Sequence, residues 1–270
     1  MGTRDRPVYH RCMSYRHSDE SLLHLAADLA AEAGSLILAL RARGIAVNTK
    51  ADRSLVTDAD NAAEAFILDG LRRADPTVPV IAEEEAAAGI APETEREFWL
   101  VDPLDGTRDF VAGFDDFAVN VGLVRDGRAV LGAVGVPARG AVFYGMAEAG
   151  AFRRDAAGQI RIEARHPPMG GLTMVVSRFH GDRVPDLPPA LWGQRVTDTV
   201  RMGSAAKFCR VAEGTGDFYP RRGRTMEWDT AAPQALVEAA GGSVRRLEDD
   251  LPLTYGKPGW ENPGFYCIGK

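Results

Sequence analysis

The segment Phe98-Trp99-Leu100-Val101-Asp102-Pro103-Leu104-Asp105-Gly106-Thr107 decides how this chain is read. An apolar run in the manner of a buried strand passes directly into two carboxylates three positions apart, then into a glycine and a hydroxyl residue. Two acids at the mouth of a buried strand are costly unless something cationic sits between them. Pro103 and Gly106 bend the chain, so Asp102 and Asp105 need not point to opposite faces as they would in a straight strand. Gly106 and Thr107 offer backbone N–H groups to an anion, particularly if a helix starts there. Asp-Pro and Asp-Gly also make ordinary turns, so the segment gains its meaning from its company. A divalent metal beside a phosphate satisfies both of its halves.

Upstream, Leu22, Leu25, Ala26, Leu29, Ala33, Leu36, Ile37 and Leu40 recur at helical spacing, with Ser18 as a cap, Asp19 and Glu20 in the first turn and Gly44 as a stop. A second helix is expected over about 60–73, closed by Asp75-Pro76, and then short strands at 78–82 and 98–101 separated by a loop over 84–97. Downstream, 117–124, 129–136 and 141–146 read as strands joined by turns, extended by 151–153 and 160–162, which makes an antiparallel meander. After His166-Pro167-Pro168 the pattern alternates: strands at 172–176, 195–200, 217–219 and 243–247, helices at 204–212 and 229–240. The expected fold is therefore α+β followed by α/β, with an antiparallel sheet in a first lobe (18–165) and a mixed sheet in a second (166–270).

With 270 residues, 45% apolar and 26% charged, the composition is that of a globular protein with room for two lobes. A formal net charge of −6 argues against a nucleic-acid or anionic-membrane partner, but not against a small phosphorylated substrate. Cys12, Cys209 and Cys267 have neither disulfide-framework nor metal-ligand spacing, which suits a reducing cytoplasm. Residues 1–16 are polar and arginine-rich, read as a frayed terminus rather than a secretory signal. No apolar run is expected to span a membrane.

Acidic residues recur at the ends of expected elements: Asp52 in the 50–60 segment, Glu83-Glu84-Glu85 after the strand 78–82, Asp102 and Asp105, and Asp229 opening a helix after Glu227-Trp228. Each has a plain alternative. Glu83–Glu85 can be a solvated run, Asp229 a helix cap, Asp52 a turn residue. Together, in this order, they can supply the hard oxygen ligands that Mg²⁺ requires, and paired ions can clamp both oxygens of an in-line displacement.

Asp102-Pro103-Leu104-Asp105-Gly106-Thr107-Arg108-Asp109-Phe110 resembles the metal motif of the inositol monophosphatase-like, lithium-sensitive phosphatases. Trp228-Asp229-Thr230-Ala231-Ala232 with Leu236-Val237-Glu238-Ala239-Ala240-Gly241-Gly242 resembles the second signature, and Ala82-Glu83-Glu84 and the 50–60 segment resemble two further motifs. Lys207-Phe208-Cys209, Val211-Ala212-Glu213-Gly214, Asp217-Phe218-Tyr219-Pro220-Arg221, Thr225-Met226-Glu227 and Asn262-Pro263-Gly264-Phe265 are most similar to the bacterial 3'(2'),5'-bisphosphate nucleotidases of that family. Three positions depart from the pattern: Leu55 for a usual proline, Phe179 for a frequent serine, and Pro233 for a usual glycine.

The resemblance implies the layered αβαβα sandwich of the sugar phosphatases and a Mg²⁺-dependent phosphomonoesterase, with two or three ions, that removes the 3'-phosphate of adenosine 3',5'-bisphosphate. It implies Glu83, Asp102, Asp105 and Asp229 as metal carboxylates, with the Leu104 carbonyl as a backbone ligand. Gly106 and Thr107 would hold phosphate, and Thr107 with Glu83 or Asp52 would orient the attacking water. Lys207, Arg178, Arg221 and Arg222 are candidates for a second phosphate, Tyr219 or Phe179 for stacking on a base, and Asp229 for the substrate as well as the metal. His180 is not needed as an acid. The competing expectations are an inositol or sugar monophosphatase and a non-catalytic regulatory or RNA-associated member of the fold. The resemblance further implies inhibition by lithium and a cytoplasmic location, leaving a peripheral place at the inner membrane and a homodimer open.

Overall fold

In a computed structural model, residues 17–49, 55–94, 96–179 and 187–270 are described. Asp52 and His180 fall outside them. Helix α1 (Asp19–Arg43) starts where the Ser18 hydroxyl accepts the Ser21 N–H at 3.2 Å, and Gly44 ends it. Contrary to expectation, α1 is long and apolar enough to cross a membrane. Its Leu23, Ala26, Ala30, Ala33 and Ile37 are nevertheless buried in the protein core, and a helix that is apolar over most of its circumference passes the same test.

A short antiparallel hairpin, β1 (Val47–Thr49) and β2 (Leu55–Thr57), leads into α2 (Asp58–Ala74). The helix starts earlier than its apolar spacing suggests because Thr57 and Asp60 form a capping box. β3 (Val80–Ala82) runs directly into a short helix, α3 (Glu83–Ala87), so the acidic run is a helical turn and not the start of a loop. β4 (Glu97–Asp105) carries the deciding segment through Asp105 and ends against α4 (Thr107–Val111), where Gly106 takes up φ +89°. The meander follows as β5 (Ala118–Arg125), β6 (Arg128–Val136), β7 (Ala141–Met146), β8 (Gly150–Asp155) and β9 (Gly158–Ile162). These strands form one sheet in the order β3-β4-β5-β6-β7-β8-β9, antiparallel except that the edge strand β3 runs parallel to β4.

The rest of the chain gives β10 (Leu172–Ser177), β11 (Val196–Met202), α5 (Ala206–Ala212), β12 (Phe218–Arg221), α6 (Ala231–Ala239), β13 (Ser243–Arg246) and β14 (Phe265–Ile268). Their sheet has the order β11-β10-β12-β14-β13, parallel on one side and antiparallel on the other. β14 escapes sequence reading because four apolar residues carry no usable period. It is buried throughout and joins β12 to β13.

The layers stack around this pair of sheets. α1 and α2 cover the outer face of the longer sheet, and α5 and α6 lie between the sheets. The outer face of the shorter sheet packs against Leu187 and Leu191. α6 comes from the later half of the chain but lies on the earlier sheet. At Gly122 of β5 an added methyl carbon would stand 2.6 Å from the Ala232 nitrogen, and at Gly132 of β6 it would overlap the Ala232 backbone. Pro233 is accommodated in the first turn of α6, where a missing N–H costs no helical bond.

Candidate active site

The parallel pairing of Ala82 with Val101 sets the C-terminal ends of β3 and β4 side by side. Glu83, the first residue of α3, and Asp102, which β4 still pairs with Asn120 of β5, therefore come close together one position further on. Asp102 is 1% exposed, and its Oδ1 accepts the Leu104 N–H at 3.0 Å. Glu64 of α2, also buried, accepts the N–H groups of Glu84 at 2.7 Å and Glu85 at 2.8 Å, which fastens the turn that begins with Glu83. Asp105 accepts the Ala205 N–H from just before α5. Asp229 accepts the Met226 N–H at 2.9 Å from the end of a 3₁₀ turn (Glu227–Asp229). It does not open α6, whose preceding position is Thr230. The turn is itself held by the buried Glu227 carboxylate, which accepts from Gly256 N at 2.7 Å, Lys257 N at 2.9 Å and Lys257 Nζ at 2.6 Å.

Electrostatically these acids act as a set. Burial raises the pKa of Asp102 well above the usual carboxylate range, and the charges of Glu83, Asp105 and Asp229 raise it further. Burial also raises Asp105, opposed by the Lys207 ammonium, and pushes Asp229 up to about 8 with help from Asp105 and Glu83. Among the described residues no group of three acids is closed around a metal position as it stands. A divalent cation would supply the charge that offsets the repulsion among these acids. The donors are hard carboxylate oxygens from separate elements plus a backbone carbonyl, which fits Mg²⁺ and not a soft metal.

Sequence reasoning missed Asp60. It is 2% exposed, and its Oδ2 accepts both the Thr57 N–H at 2.7 Å and the Thr57 hydroxyl at 2.6 Å. The Thr107 hydroxyl reaches its Oδ1 at 3.2 Å and the Leu104 carbonyl at 3.1 Å. Among the described residues it is therefore Asp60 that touches Thr107. The signal was present in sequence, since Asp60 stands third in a Thr57-capped helix.

A cleft of about 590 Å³, open to solvent, lies beside the acids and is lined by Asp105, Gly106 and Asp229 together with Lys207, Tyr219 and Arg221. Lys207 is buried, with Nζ donating to the Ser204 carbonyl at 2.6 Å and lying 5.1 Å from the Tyr219 ring centre. Burial lowers its pKa to about 8. The buried Arg221 Nε and Thr225 Oγ1, from residues lining the same cleft, have no hydrogen-bond partner among the described residues. Thr225 was not expected.

Three sequence candidates need correction. Arg178 is committed elsewhere: it donates to Asp109 at 3.0 Å and to Asp116, and stacks on Phe114 at 4.1 Å. Tyr219 offers no free face, since it is 3% exposed and packed edge-on against Phe208 and Phe265. The exposed aromatic at the cleft is Phe179, edge-on to Phe114. Arg222 is exposed and does not line the cleft.

Residues 18–263 match the model of the inositol monophosphatase family. The chain belongs to that family. Among its relatives, the 3'(2'),5'-bisphosphate nucleotidase CysQ of Escherichia coli (strain K12) is 38% identical over 249 residues, which is 90% of this chain and 98% of that protein. The family fold is matched by the crystal structure of CysQ from Bacteroides thetaiotaomicron, a bacterial member of the family, with a TM-score of 0.75 and 28% identity over 93% of this chain and 98% of that one. An inositol monophosphatase from Anabaena matches with a TM-score of 0.69 and 27% identity, covering 92% and 90% of the two chains.

Proposed function

We propose that this protein is a magnesium-dependent 3'(2'),5'-bisphosphate nucleotidase that hydrolyses adenosine 3',5'-bisphosphate to AMP and inorganic phosphate. One observation carries the reading beyond family membership: a single cleft joins the acid cluster to donors with no acceptor among the described residues, Arg221 Nε and Thr225 Oγ1, beside the Lys207 ammonium. A substrate with two phosphates meets both ends of it. The 38% identical relatives named for this activity support the same reading.

Glu83, Asp102, Asp105, Asp229 and the Leu104 carbonyl would hold Mg²⁺, which when bound supplies charge to activate water and to neutralise the reacting phosphate. The N–H groups of Gly106 and Thr107, at the start of α4, hold that phosphate by its oxygens. Thr107 Oγ1 accepts a hydrogen bond from the attacking water and passes its own hydrogen towards Asp60 Oδ1. The water oxygen bonds to phosphorus as the bond to the 3'-oxygen breaks, and that oxygen takes a proton from solvent as it leaves. Lys207 and Arg221 bind the 5'-phosphate, Thr225 donates beside them, and Phe179 stacks on the base. Asp229 also faces the sugar. The buried free thiols of Cys209 and Cys267 suit a reducing compartment.

The test is phosphate release from a substrate panel in Mg²⁺. The bisphosphate should exceed inositol 1-phosphate in kcat/KM by at least about a hundredfold, roughly 2.7 kcal/mol of differential transition-state binding. Comparable constants would make the protein an inositol or sugar monophosphatase. Metal binding without turnover of any phosphate ester would make it a regulatory member of the fold.

A further inference from the structure

Asn120 stands directly opposite Asp102 in the antiparallel pairing of β4 with β5, and Val134 of β6 flanks it on the other side. Opposed residues project from the same face of a sheet, with Cβ atoms about 4.5–5.5 Å apart. Alternation along β5 puts Asn120 on the face of Gly122, the glycine pressed against Ala231 and Ala232. The amide thus lies in the floor between Asp102 and the turn that carries Asp229. It is fully buried, yet neither Nδ2 nor Oδ1 has a hydrogen-bond partner among the described residues. A buried amide with both ends unmet is costly, and its neighbours along β5 are Val119 and Val121. A valine here would be the cheaper choice for the sheet alone.

We propose that Asn120 is a positioning residue for Asp102: its Nδ2 donates to the Asp102 carboxylate, directly or across one water, and holds it in the orientation that takes up a divalent cation. The inference rests on the metal-site reading above. Asp102 Oδ1 is already tied to the Leu104 N–H, and a second anchor stops rotation of the carboxylate about its own axis. An amide suits the task because it donates without adding a cation to compete for the site or another acid to a crowded cluster. Outer hydrogen-bond partners of metal ligands typically change metal affinity by about 10–100-fold.

The experiment compares Mg²⁺ and Mn²⁺ binding to the metal-free parent and to Asn120→Val and Asn120→Ser by calorimetry, with melting temperatures taken without metal. The expected result is a ten- to hundredfold weaker affinity in Asn120→Val, with a metal-free melting temperature equal to or above the parent's, and near-parental affinity in Asn120→Ser, whose hydroxyl still donates. Equal affinity in parent and Asn120→Val overturns the role of Asn120. Failure of the parent itself to bind either ion overturns the metal-site reading instead. If Asn120→Val does not fold, a crystal structure of the Mg²⁺-loaded parent decides: Nδ2 within about 3.2 Å of Asp102, or of a water on it, supports the role, and an amide still without partners removes it.

Discussion

The two sides of the cleft are built by different means. On the acid side the backbone does the holding: Asp60 accepts from Thr57 N, Asp102 from Leu104 N, Asp105 from Ala205 N and Asp229 from Met226 N. Those amides belong to segments packed into the core, which anchors each carboxylate through one of its oxygens. On the facing side Lys207 is tied to the Ser204 carbonyl, but Arg221 Nε and Thr225 Oγ1 meet no hydrogen-bond partner among the described residues, and the Phe179 ring is 44% exposed. The difference is between carboxylates anchored by backbone amides and donors left open to a ligand, and in the reading proposed above it separates the hydrolytic chemistry from the choice of substrate.

Asp105→Asn is the strongest way to break that contrast. Turnover should fall by at least about a thousandfold, roughly 4 kcal/mol of barrier. The metal-free melting temperature should not fall, because the substitution removes a charge that burial opposes. Turnover within tenfold of the parent would show that the fixed side is not where the chemistry resides. Thr107→Val should lower kcat by about a hundredfold with KM nearly unchanged. A change confined to KM would reduce the Asp60–Thr107 contact to scaffolding.

On the facing side the effects should be smaller and selective. Lys207→Ala and Arg221→Ala should each lower kcat/KM for the bisphosphate by about thirtyfold, near 2 kcal/mol for a charge-assisted contact, while costing a simple monophosphate less than about threefold. Equal losses on both substrates would merge the two sides. Phe179→Ala should raise KM for the nucleotide by about tenfold and leave inositol 1-phosphate unaffected. The smallest effect concerns pH. The Asp229 pKa is raised to about 8, above its unfolded value, so in metal-free protein the cost of ionising it grows as pH rises from the ordinary carboxylate range towards 8. Metal-free protein should therefore melt higher at pH 6 than at pH 8, and added Mg²⁺ should reduce or reverse that difference. A metal-free melting temperature that rises with pH would deny the crowding of acids.

Much of this was legible in the chain because the metal motif and the meander depend on local pattern. Alternation and turn residues place β5 to β7, and the acids announce themselves by standing at the ends of apolar runs. What escaped depends on partners distant in sequence. Asp60 looks like a helix cap until Thr107 is folded onto it, 47 positions away. Arg178 looks available until Asp109 and Asp116 claim it. Asp217, conspicuous in the motif of the nucleotidases, is held by both arms of Arg165 at 2.7 Å and by Thr173 N, and so shapes the start of β12 rather than the cleft. Tyr219 could be read as a platform only while the rings of Phe208 and Phe265 were unplaced.

The strip of missing side chains at Gly122 and Gly132 acts as a gauge. It sets how deeply α6 seats on the sheet, and hence how far Asp229, at the entrance to that helix, stands from Asp102 and Asp105 on the strand below. The spacing of the site is thus written in two absent methyl groups. An alanine at either glycine would act as a shim beneath the helix, separating acids that it does not touch. By the same geometry the halves of the chain are not independent pieces of clockwork: a fragment cut near residue 165 would leave that bare strip facing water.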